Sequence, residues 1–470
     1  MATDELCFQS LSQLSARLAA GDLSPVALTQ AYLERIARLD AHLNSYITVT
    51  AELALQQARE AEAQLRRYGP RSPLHGIPLA LKDLIATRDI PTTGGARVLE
   101  HVLPDHDAAV VERLRAAGAV LLGKLNLNEF ATLVPSARYG PVRNPWHPEH
   151  SPGGSSSGSG AAVAAGLCAA ALGTDTGGSI RLPAALCGIV GLKPTYGRVS
   201  LFGVIPLAWS LDHVGPMARS VRDVALLLQV LAGPDARDLA CSEAPVPSYT
   251  AGLHGDLAGL RLGVPKAFFA DFTDAEVRRA FDAAVGVLQE AGAQVEEVAL
   301  PDLSEAWAIA QVIINAEAYV WHAPSLQRQA ADYGPQVRAF LERGRDILAT
   351  DYVRAQQARA RLRRDVLAAC AHVDALLTPG ALVPAPPLEA RTVRLAGREV
   401  RLLPALVSAT CPFNLTGQPA LTLPCGFSAT GLPLALQIVG KPFAEATVLR
   451  IGDAYEARSD WHRRRPPLPA

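Results

Sequence analysis

Two glycine- and serine-rich stretches near the middle of the chain carry the residue types that acyl-transfer chemistry uses. They are residues 152–160 (PGGSSSGSG) and residues 174–179 (TDTGGS). Glycines let a main chain approach a reacting group closely and turn its N–H groups inward. A serine such as Ser179 among these amides suits a nucleophile, because the same loop can hold the developing oxyanion. Lys82 follows the apolar stretch 77–81 (IPLAL), where burial would keep the amine neutral and able to act as the base.

The surrounding sequence predicts strands that alternate with amphipathic helices and would position these loops. Helices are predicted at residues 11–20, 25–42, 51–67 and 108–117, strands at 119–122, 260–264 and 294–299, and mostly helix at 306–371. Ser24 before Pro25 is typical of a helix start. Thr273 with Glu276 predicts a capping box for the helix that ends at Gly292. The alternation indicates a parallel or mixed sheet with helices packed on its faces.

The length and composition favour one large domain. The chain has 470 residues, of which 49% are hydrophobic, and it contains no linker-like or low-complexity stretch. We therefore expect a single domain over residues 1–470. Within it, residues 1–67 are predicted to form an N-terminal helical layer, residues 74–220 the catalytic core, and residues 306–371 a helical segment that shapes the substrate pocket.

The charge balance and the cysteines exclude several other classes of protein. With 44 lysines and arginines against 45 aspartates and glutamates, the chain shows no electrostatic footprint for nucleic acid. Its seven cysteines are scattered without a CxxC pair, which argues against a disulfide framework and fits a reducing cytoplasm. The N-terminus lacks a signal-peptide pattern. The small-apolar run at 161–172 is too short to cross a bilayer, so no membrane association is expected.

Several sequence blocks occur in a fixed order before, within and after the two glycine-rich stretches. They are GIPLALKD at 76–83, GKLNLNEFA at 123–131, LGTDTGGSIR at 172–181, SLDHVGPMARSV at 210–221 and FNLTGQPALTLPCG at 413–426. Together they resemble the amidase signature family, hydrolases with a Ser–cis-Ser–Lys triad, from about residue 74 to residue 443. The resemblance is strongest to stand-alone bacterial amidases. It implies an α/β amidase-signature fold, with a central mixed β-sheet covered by helices on both faces.

The resemblance also implies roles for individual residues. Ser179 would be the nucleophile and Lys82 the general base, with Ser155, on a cis peptide bond, as the proton bridge between them. The backbone amides of four residues would form the oxyanion hole: Thr176, Gly177, Gly178 and Ser179. Two hydroxyl side chains are expected to contact substrate, those of Thr132 and Ser156. No metal and no organic cofactor is expected.

Taken alone, each of these signals has a plainer explanation. A TGGS sequence is usually a tight turn, and a lysine after a strand is usually a solvated strand end. Residues 154–158 also match G-x-S-x-G, but the nucleophile elbow of α/β-hydrolases needs a strand before it, and prolines interrupt residues 139–152. His147 and His150 lack the spacing of a zinc site. Only the combination of blocks favours the catalytic interpretation.

The reaction implied is hydrolysis of a C–N bond through an acyl-enzyme. We predict a free-standing amidase that acts on small-molecule amides, aryl amides or carbamates, as a urethanase would, with no nucleic-acid partner. Exposed N-terminal helices would support a homodimer. The alternatives are the glutaminase (A) subunit of a tRNA-dependent amidotransferase, and a catalytically silent binding or assembly subunit.

Two local features bear on the amidotransferase alternative. Residues 132–140 (TLVPSARYG) are shorter than the block MGSSTENSAFG of the glutaminase subunit, from which they also differ in sequence, and this argues against that alternative. Arg359 aligns with the arginine that binds the glutamine carboxylate in the glutaminase subunit, but ordinary amidases share this residue. The sequence therefore favours the free-standing amidase.

Overall fold

A mixed sheet runs through the computed structural model, which describes residues 2–267, 269, 272–395 and 397–468. The sheet has 11 strands in the order β1-β3-β2-β4-β6-β5-β12-β13-β9-β7-β8, and β10 pairs separately with β11. The strands are β1 Tyr46–Val49, β2 Pro78–Lys82, β3 Val120–Leu125, β4 Ala170–Thr174, β5 Val190–Lys193, β6 Val214–Ala218, β7 Arg261–Pro265, β8 Gln294–Val298, β9 Ala375–Pro379, β10 Thr392–Leu395, β11 Arg398–Arg401, β12 Ala420–Phe427 and β13 Pro433–Gly440.

The described residues also form fifteen α-helices. They are α1 Ala2–Cys7, α2 Leu11–Ala20, α3 Pro25–Leu43, α4 Ala51–Tyr68, α5 Ala109–Ala117, α6 Ser157–Ala164, α7 Arg181–Cys187, α8 Val221–Leu231, α9 Ala275–Glu290, α10 Ala306–Gln329, α11 Pro335–Glu342, α12 Ala349–Ala369, α13 Leu402–Val407, α14 Pro412–Leu415 and α15 Glu445–Glu456. No helix in the described part of the chain is long and apolar enough to cross a membrane.

The central strands bury side chains on both faces of the sheet. In β9, Leu377 packs into one hydrophobic cluster and its neighbour Leu376 into another. In β13, Ile438 packs into the cluster that contains Leu377, and Val439 packs into the cluster that contains Leu376. Successive side chains of a strand point to opposite faces, so the two clusters lie on opposite sides of the sheet. The predicted α/β fold, a mixed sheet with helices on both faces, is confirmed.

The N-terminal helices form as the sequence predicts. Ser24 caps α3 by accepting hydrogen bonds from the amides of Val26 (3.1 Å) and Ala27 (3.2 Å). At the start of α2, the buried carboxylate of Asp223 accepts from the amide of Leu11 at 2.9 Å. This contact ties α2 to α8. The caps therefore satisfy amide groups that have no partner within their own helix.

The cap of α9 differs from the predicted capping box. Asp274, not Thr273, accepts a hydrogen bond from the amide of Glu276, at 2.8 Å. The hydroxyl of Thr273 donates to the carbonyl oxygen of Phe269 in the preceding turn. The prediction was wrong because two neighbouring polar side chains compete for the N-cap position, and the preceding turn decides between them.

Strands β2 and β4 bring two distant parts of the chain to one edge of the sheet. They pair in parallel, with Leu79 opposite Ala170 and Leu81 opposite Leu172. Strand β2 ends at Lys82 and β4 ends at Thr174. Because parallel strands end at the same edge, these two side chains meet there, next to the loops that the sequence singled out.

Two helical glycines give a matched test of the packing. A Cβ on Gly158, in α6, would collide with the carbonyl oxygens of Asn126 and Ser45, whereas a Cβ on Gly286, in α9, would meet no atom within 4 Å. We expect Gly158→Ala to lower the free energy of unfolding by about 1–3 kcal/mol through overpacking. Gly286→Ala should raise it by about 0.5–1 kcal/mol. Denaturant titration measures both changes, and equal effects of the two variants would contradict the packing described here.

Candidate active site

The side chain of Lys82 lies at the centre of a buried polar cluster. Its Nζ is 2.7 Å from the Oγ of Ser155 and 2.7 Å from the Oγ1 of Thr174. Lys82 and Ser155 are both fully buried. The structure therefore brings together the predicted base and the predicted proton bridge, which are far apart in the sequence.

Backbone contacts join the loop of Ser155 to the loop of Ser179. The peptide bond between Gly154 and Ser155 is cis, as the resemblance implied. The amide of Ser156 donates to the carbonyl oxygen of Ser179 at 3.2 Å. On the other side, the carbonyl oxygen of Ser155 accepts from the amide of Asn128 at 3.1 Å. The three predicted triad residues thus occupy one connected site.

Burial changes the protonation of Lys82. Removal from water disfavours the charged ammonium and lowers the pKa of Lys82 to about 7, although the carboxylates of Asp175 and Asp212 oppose the shift. A lysine with this pKa holds a substantial neutral fraction near neutral pH. The group is therefore able to accept a proton from a serine hydroxyl.

The carboxylate of Asp175 shapes the loop that carries Ser179. It accepts hydrogen bonds from the amides of Gly178 (2.8 Å) and Ile180 (3.1 Å), the residues on either side of Ser179. It also forms an ion pair at 3.0 Å with Arg181, and both side chains are fully buried. Burial alone would raise the pKa of Asp175, but Arg181 outweighs it and holds this pKa well below the usual value.

The predicted oxyanion hole is open at three of its four amides. Among the hydrogen bonds of the described residues, the amides of Thr176, Gly177 and Ser179 have no acceptor. The amide of Gly178 is engaged with Asp175. Gly178 has a φ of 135°, and a Cβ there would collide with the side chain of Thr410. Glycine is therefore required at this point of the loop.

Asp212 supports the same loop from the other side. Its carboxylate accepts from the hydroxyl of Thr176 at 2.5 Å and from the amides of Leu207 (2.9 Å) and Ala208 (3.1 Å). Burial raises the pKa of Asp212 to about 7, against the opposing effect of these hydrogen bonds. Asp212 also lines a cavity of about 520 Å³ with Trp209.

The two predicted substrate-binding hydroxyls hydrogen-bond to the protein main chain. Thr132 donates to the carbonyl oxygen of Glu129 at 2.7 Å. The Oγ of Ser156 donates to the carbonyl oxygen of Thr174 at 3.1 Å and accepts from the amide of that residue at 3.2 Å. Their contact with substrate stays a prediction. No role was predicted for Thr174, because the strand that ends at this residue was not predicted from the sequence.

Arg359, on α12, lies beside the segments that support the nucleophile loop. Its guanidinium donates to the carbonyl oxygens of Leu415 (3.0 Å) and Ser210 (2.9 Å). Leu415 follows Asn414, whose side chain binds Asp175 at 2.8 Å. In the described part of the chain no carboxylate lies within ion-pair distance of Arg359. Its remaining N–H groups are available to an anion.

Comparisons with known proteins agree on one family. The amidase family model matches residues 27–449. The chain is 45% identical to the A subunit of the glutamyl-tRNA(Gln) amidotransferase of Roseiflexus sp., over 98% of each chain. The crystal structure of the same subunit from Thermotoga maritima is 33% identical, covers 99% of both chains and has a TM-score of 0.82.

A further solved structure is a vestigial protein complex that reveals the evolutionary origins of an s-triazine catabolic enzyme. Its similar chain is 34% identical, with a TM-score of 0.91 over 96% of this chain and 99% of that one. All three likenesses extend over nearly the whole length. The shared architecture is therefore that of the complete fold rather than of the catalytic loops alone.

These relatives overturn the prediction of a free-standing amidase for small amides or carbamates. Relatives matched over their full length are named as amidotransferase subunits. Residues 132–140 differ in sequence from the glutaminase subunit, but in the structure the hydroxyls of Thr132 and Ser136 hydrogen-bond to the main chain at Glu129 and Gly95. A sequence difference in a loop whose hydroxyls bind the protein's own main chain is weak evidence about the substrate.

The expected partners are corrected by the same finding. A small-molecule substrate without nucleic acid, and a homodimer, conflict with relatives named as subunits of a glutamyl-tRNA(Gln) amidotransferase. The balanced net charge describes this chain alone, so it does not exclude a tRNA bound by an assembly. On the family model and the full-length likenesses together, the chain belongs to the amidase family, as its sequence motifs indicated.

Proposed function

We propose that this chain is the glutamine-hydrolysing subunit of a glutamyl-tRNA(Gln) amidotransferase. Full-length relatives named as the A subunit of that enzyme support the proposal. The observation that carries it is this full-length similarity, and within the structure the environment of Arg359 fits it, although ordinary amidases share this arginine. Glutamine differs from simple amides by its α-carboxylate, so a glutaminase needs a cation beside its nucleophile loop.

Arg359 fits that requirement. Two backbone carbonyl oxygens fix its guanidinium but leave its charge without a carboxylate partner in the described chain. Burial lowers the pKa of Arg359, so an anion that binds there relieves the cost of the buried charge. A guanidinium binds a carboxylate through two parallel hydrogen bonds, which also fixes the direction of the ligand.

The proposed chemistry uses the side chains already described. The Oγ of Ser179 forms a bond to the side-chain amide carbon of glutamine while its proton passes through Ser155 to Lys82. The free amides of the nucleophile loop bind the oxyanion, and each such donor lowers the barrier by about 3–4 kcal/mol. The proton returns to the leaving nitrogen, and ammonia departs. Water then releases glutamate. Within the assembly, a nucleoside triphosphate would activate the γ-carboxyl of glutamyl-tRNA as an acyl phosphate, and the ammonia would displace phosphate from it to give glutaminyl-tRNA.

One domain over residues 1–470 would hold the triad in its core, residues 74–220, behind an N-terminal helical layer, residues 1–67. The helical segment 306–371 would form a wall of the glutamine pocket. Trp307 supports this role, because a Cβ on Gly177 would lie 3.9 Å from its ring. An assembly that acts on aminoacyl-tRNA would work in the cytoplasm.

The first prediction separates recognition of the carboxylate from the chemistry. We expect Arg359→Ala to raise the KM for glutamine by about 10- to 100-fold, since a hydrogen bond to a charged group contributes about 1.5–3 kcal/mol. Hydrolysis of 4-aminobutanamide, which lacks the α-carboxylate, should not change. Ammonia release measures both reactions. Arg361→Ala, which replaces an exposed arginine on the same helix, is the matched control.

Transfer to tRNA tests the proposal as a whole. The purified chain, mixed with ATP and the other subunits of the Roseiflexus amidotransferase, is expected to move the amide nitrogen of ¹⁵N-labelled glutamine onto glutamyl-tRNA(Gln). Ser179→Ala should abolish the transfer while preserving the fold. If the wild-type chain hydrolyses 4-aminobutanamide as well as glutamine and supports no transfer, the proposal is wrong.

A further prediction concerns pH. Lys82 acts as a base only when it is neutral, and its pKa is about 7. The rate should therefore be low below that pH and rise as the pH increases through it. Asp212 has a pKa of about 7 as well, so Asp212→Asn separates the two groups. Loss of that negative charge lowers the pKa of Lys82, and the rise should move to lower pH. A rate that is flat in the variant would assign the rise to Asp212 instead.

A further inference from the structure

The orientation of Lys82 matters as much as its protonation. A neutral amine has one lone pair and two N–H donors, and the lone pair must face the hydroxyl that gives up its proton. Two hydroxyl groups contact the Nζ, those of Ser155 and Thr174, both at 2.7 Å. If an N–H of Lys82 donates to Thr174, the lone pair is free to turn toward Ser155. The contact with Thr174 therefore selects one rotation of the amine.

Thr174 is itself held by a second serine. The Oγ of Ser156 accepts from the amide of Thr174 at 3.2 Å and donates to the carbonyl oxygen of the same residue at 3.1 Å. Both residues are buried, and Ser156 is fully so. A Cβ on Gly173 would lie 2.8 Å from the Oγ of Ser156, so a glycine before Thr174 leaves room for this contact.

The geometry points to Thr174 as a positioning residue for the general base. Its hydroxyl, fixed through the main-chain contacts of Ser156, accepts an N–H of Lys82 and aims the lone pair of that amine at Ser155. Ser156 acts one step further away, through the backbone of Thr174. This inference rests on the proposed triad but not on the identity of the amide substrate.

Three groups besides Ser155 act on the Lys82 amine. Asp175 and Asp212 are the carboxylates that favour its charged form. Thr174 also favours it, because an ammonium is a stronger hydrogen-bond donor than an amine. Removal of the Thr174 hydroxyl should therefore lower the pKa of Lys82 and release its orientation at the same time. The two effects act in opposite directions on the rate at low pH, which makes them separable.

The variants Thr174→Val and Thr174→Ser test this inference through glutamine hydrolysis. For Thr174→Val we expect kcat at high pH to fall by about 10- to 100-fold. This loss is a part of the rate acceleration that a positioned general base provides, because Lys82 itself is retained. KM should stay unchanged, and the rise of rate with pH should move to lower pH. Thr174→Ser keeps the hydroxyl and should restore kcat and the pH profile. Thermal unfolding checks that both variants fold.

The supporting role of Ser156 has a matched control in the same serine-rich segment. Ser159 is also buried, and its hydroxyl binds the carbonyl oxygen of Leu172 at 3.1 Å, away from Thr174. Ser156→Ala should lower kcat, whereas Ser159→Ala should leave kcat unchanged. Equal losses in both variants would show that general packing, not the contact with Thr174, sustains the rate.

A fluorophosphonate gives a readout that does not depend on glutamine. In this reaction the Oγ of Ser179 forms a bond to phosphorus, fluoride leaves, and the serine proton passes toward Lys82. Mass spectrometry follows the labelling rate against pH. Thr174→Val should slow labelling and shift its pH profile as it does for glutamine. If wild-type Ser179 is labelled but no glutamine is hydrolysed, the proposed substrate is wrong and the inference is still tested. If Thr174→Val labels like the wild type, or Thr174→Ser fails to restore the rate, the inference is overturned.

Discussion

The desolvation of one amine constrains the whole active site. Lys82 is fully buried at the end of a core strand, and the loss of water outweighs two carboxylates in setting its pKa near 7. A solvated lysine would stay charged at this pH and could not accept a proton. The apolar strands on either side of β2 are therefore part of the chemistry, because they keep water away from the base.

The buried ion pair below the nucleophile loop solves a second problem. The loop needs a carboxylate to hold its amides in place, yet a free negative charge there would raise the pKa of Lys82. Asp175 binds the amides on both sides of Ser179 while Arg181 compensates its charge. Removing either partner would leave an uncompensated charge in the core, which typically costs about 3–5 kcal/mol. Asp175 and Arg181 together therefore fix the conformation of the loop without leaving a net charge beneath it.

Sequence reasoning predicted what local patterns determine. The helices at 11–20 and 25–42 and the strand at 260–264 follow from periodicity and caps, and they form within a few residues of the predicted bounds. The contacts of Lys82 with Thr174 and of Thr176 with Asp212 join positions far apart in the chain, so no local pattern shows them. The function was predicted wrongly because that prediction relied on one short segment, residues 132–140, whereas the similarity to amidotransferase subunits extends over the whole chain.

Lys82 and Asp212 make the protonation of the base sensitive to local hydration. Both have a pKa of about 7, one lowered and the other raised by burial, and each charge stabilises the other. The state in which Lys82 and Asp212 are both charged has the same net charge as the state in which both are neutral. Local hydration therefore decides between these two states. Ser179 is only 6% exposed, and a bound amide that displaces its remaining water makes both charges less favourable. Displacement of water by a substrate would therefore favour the neutral amine that the reaction needs, whereas without it both forms of Lys82 are populated near neutral pH.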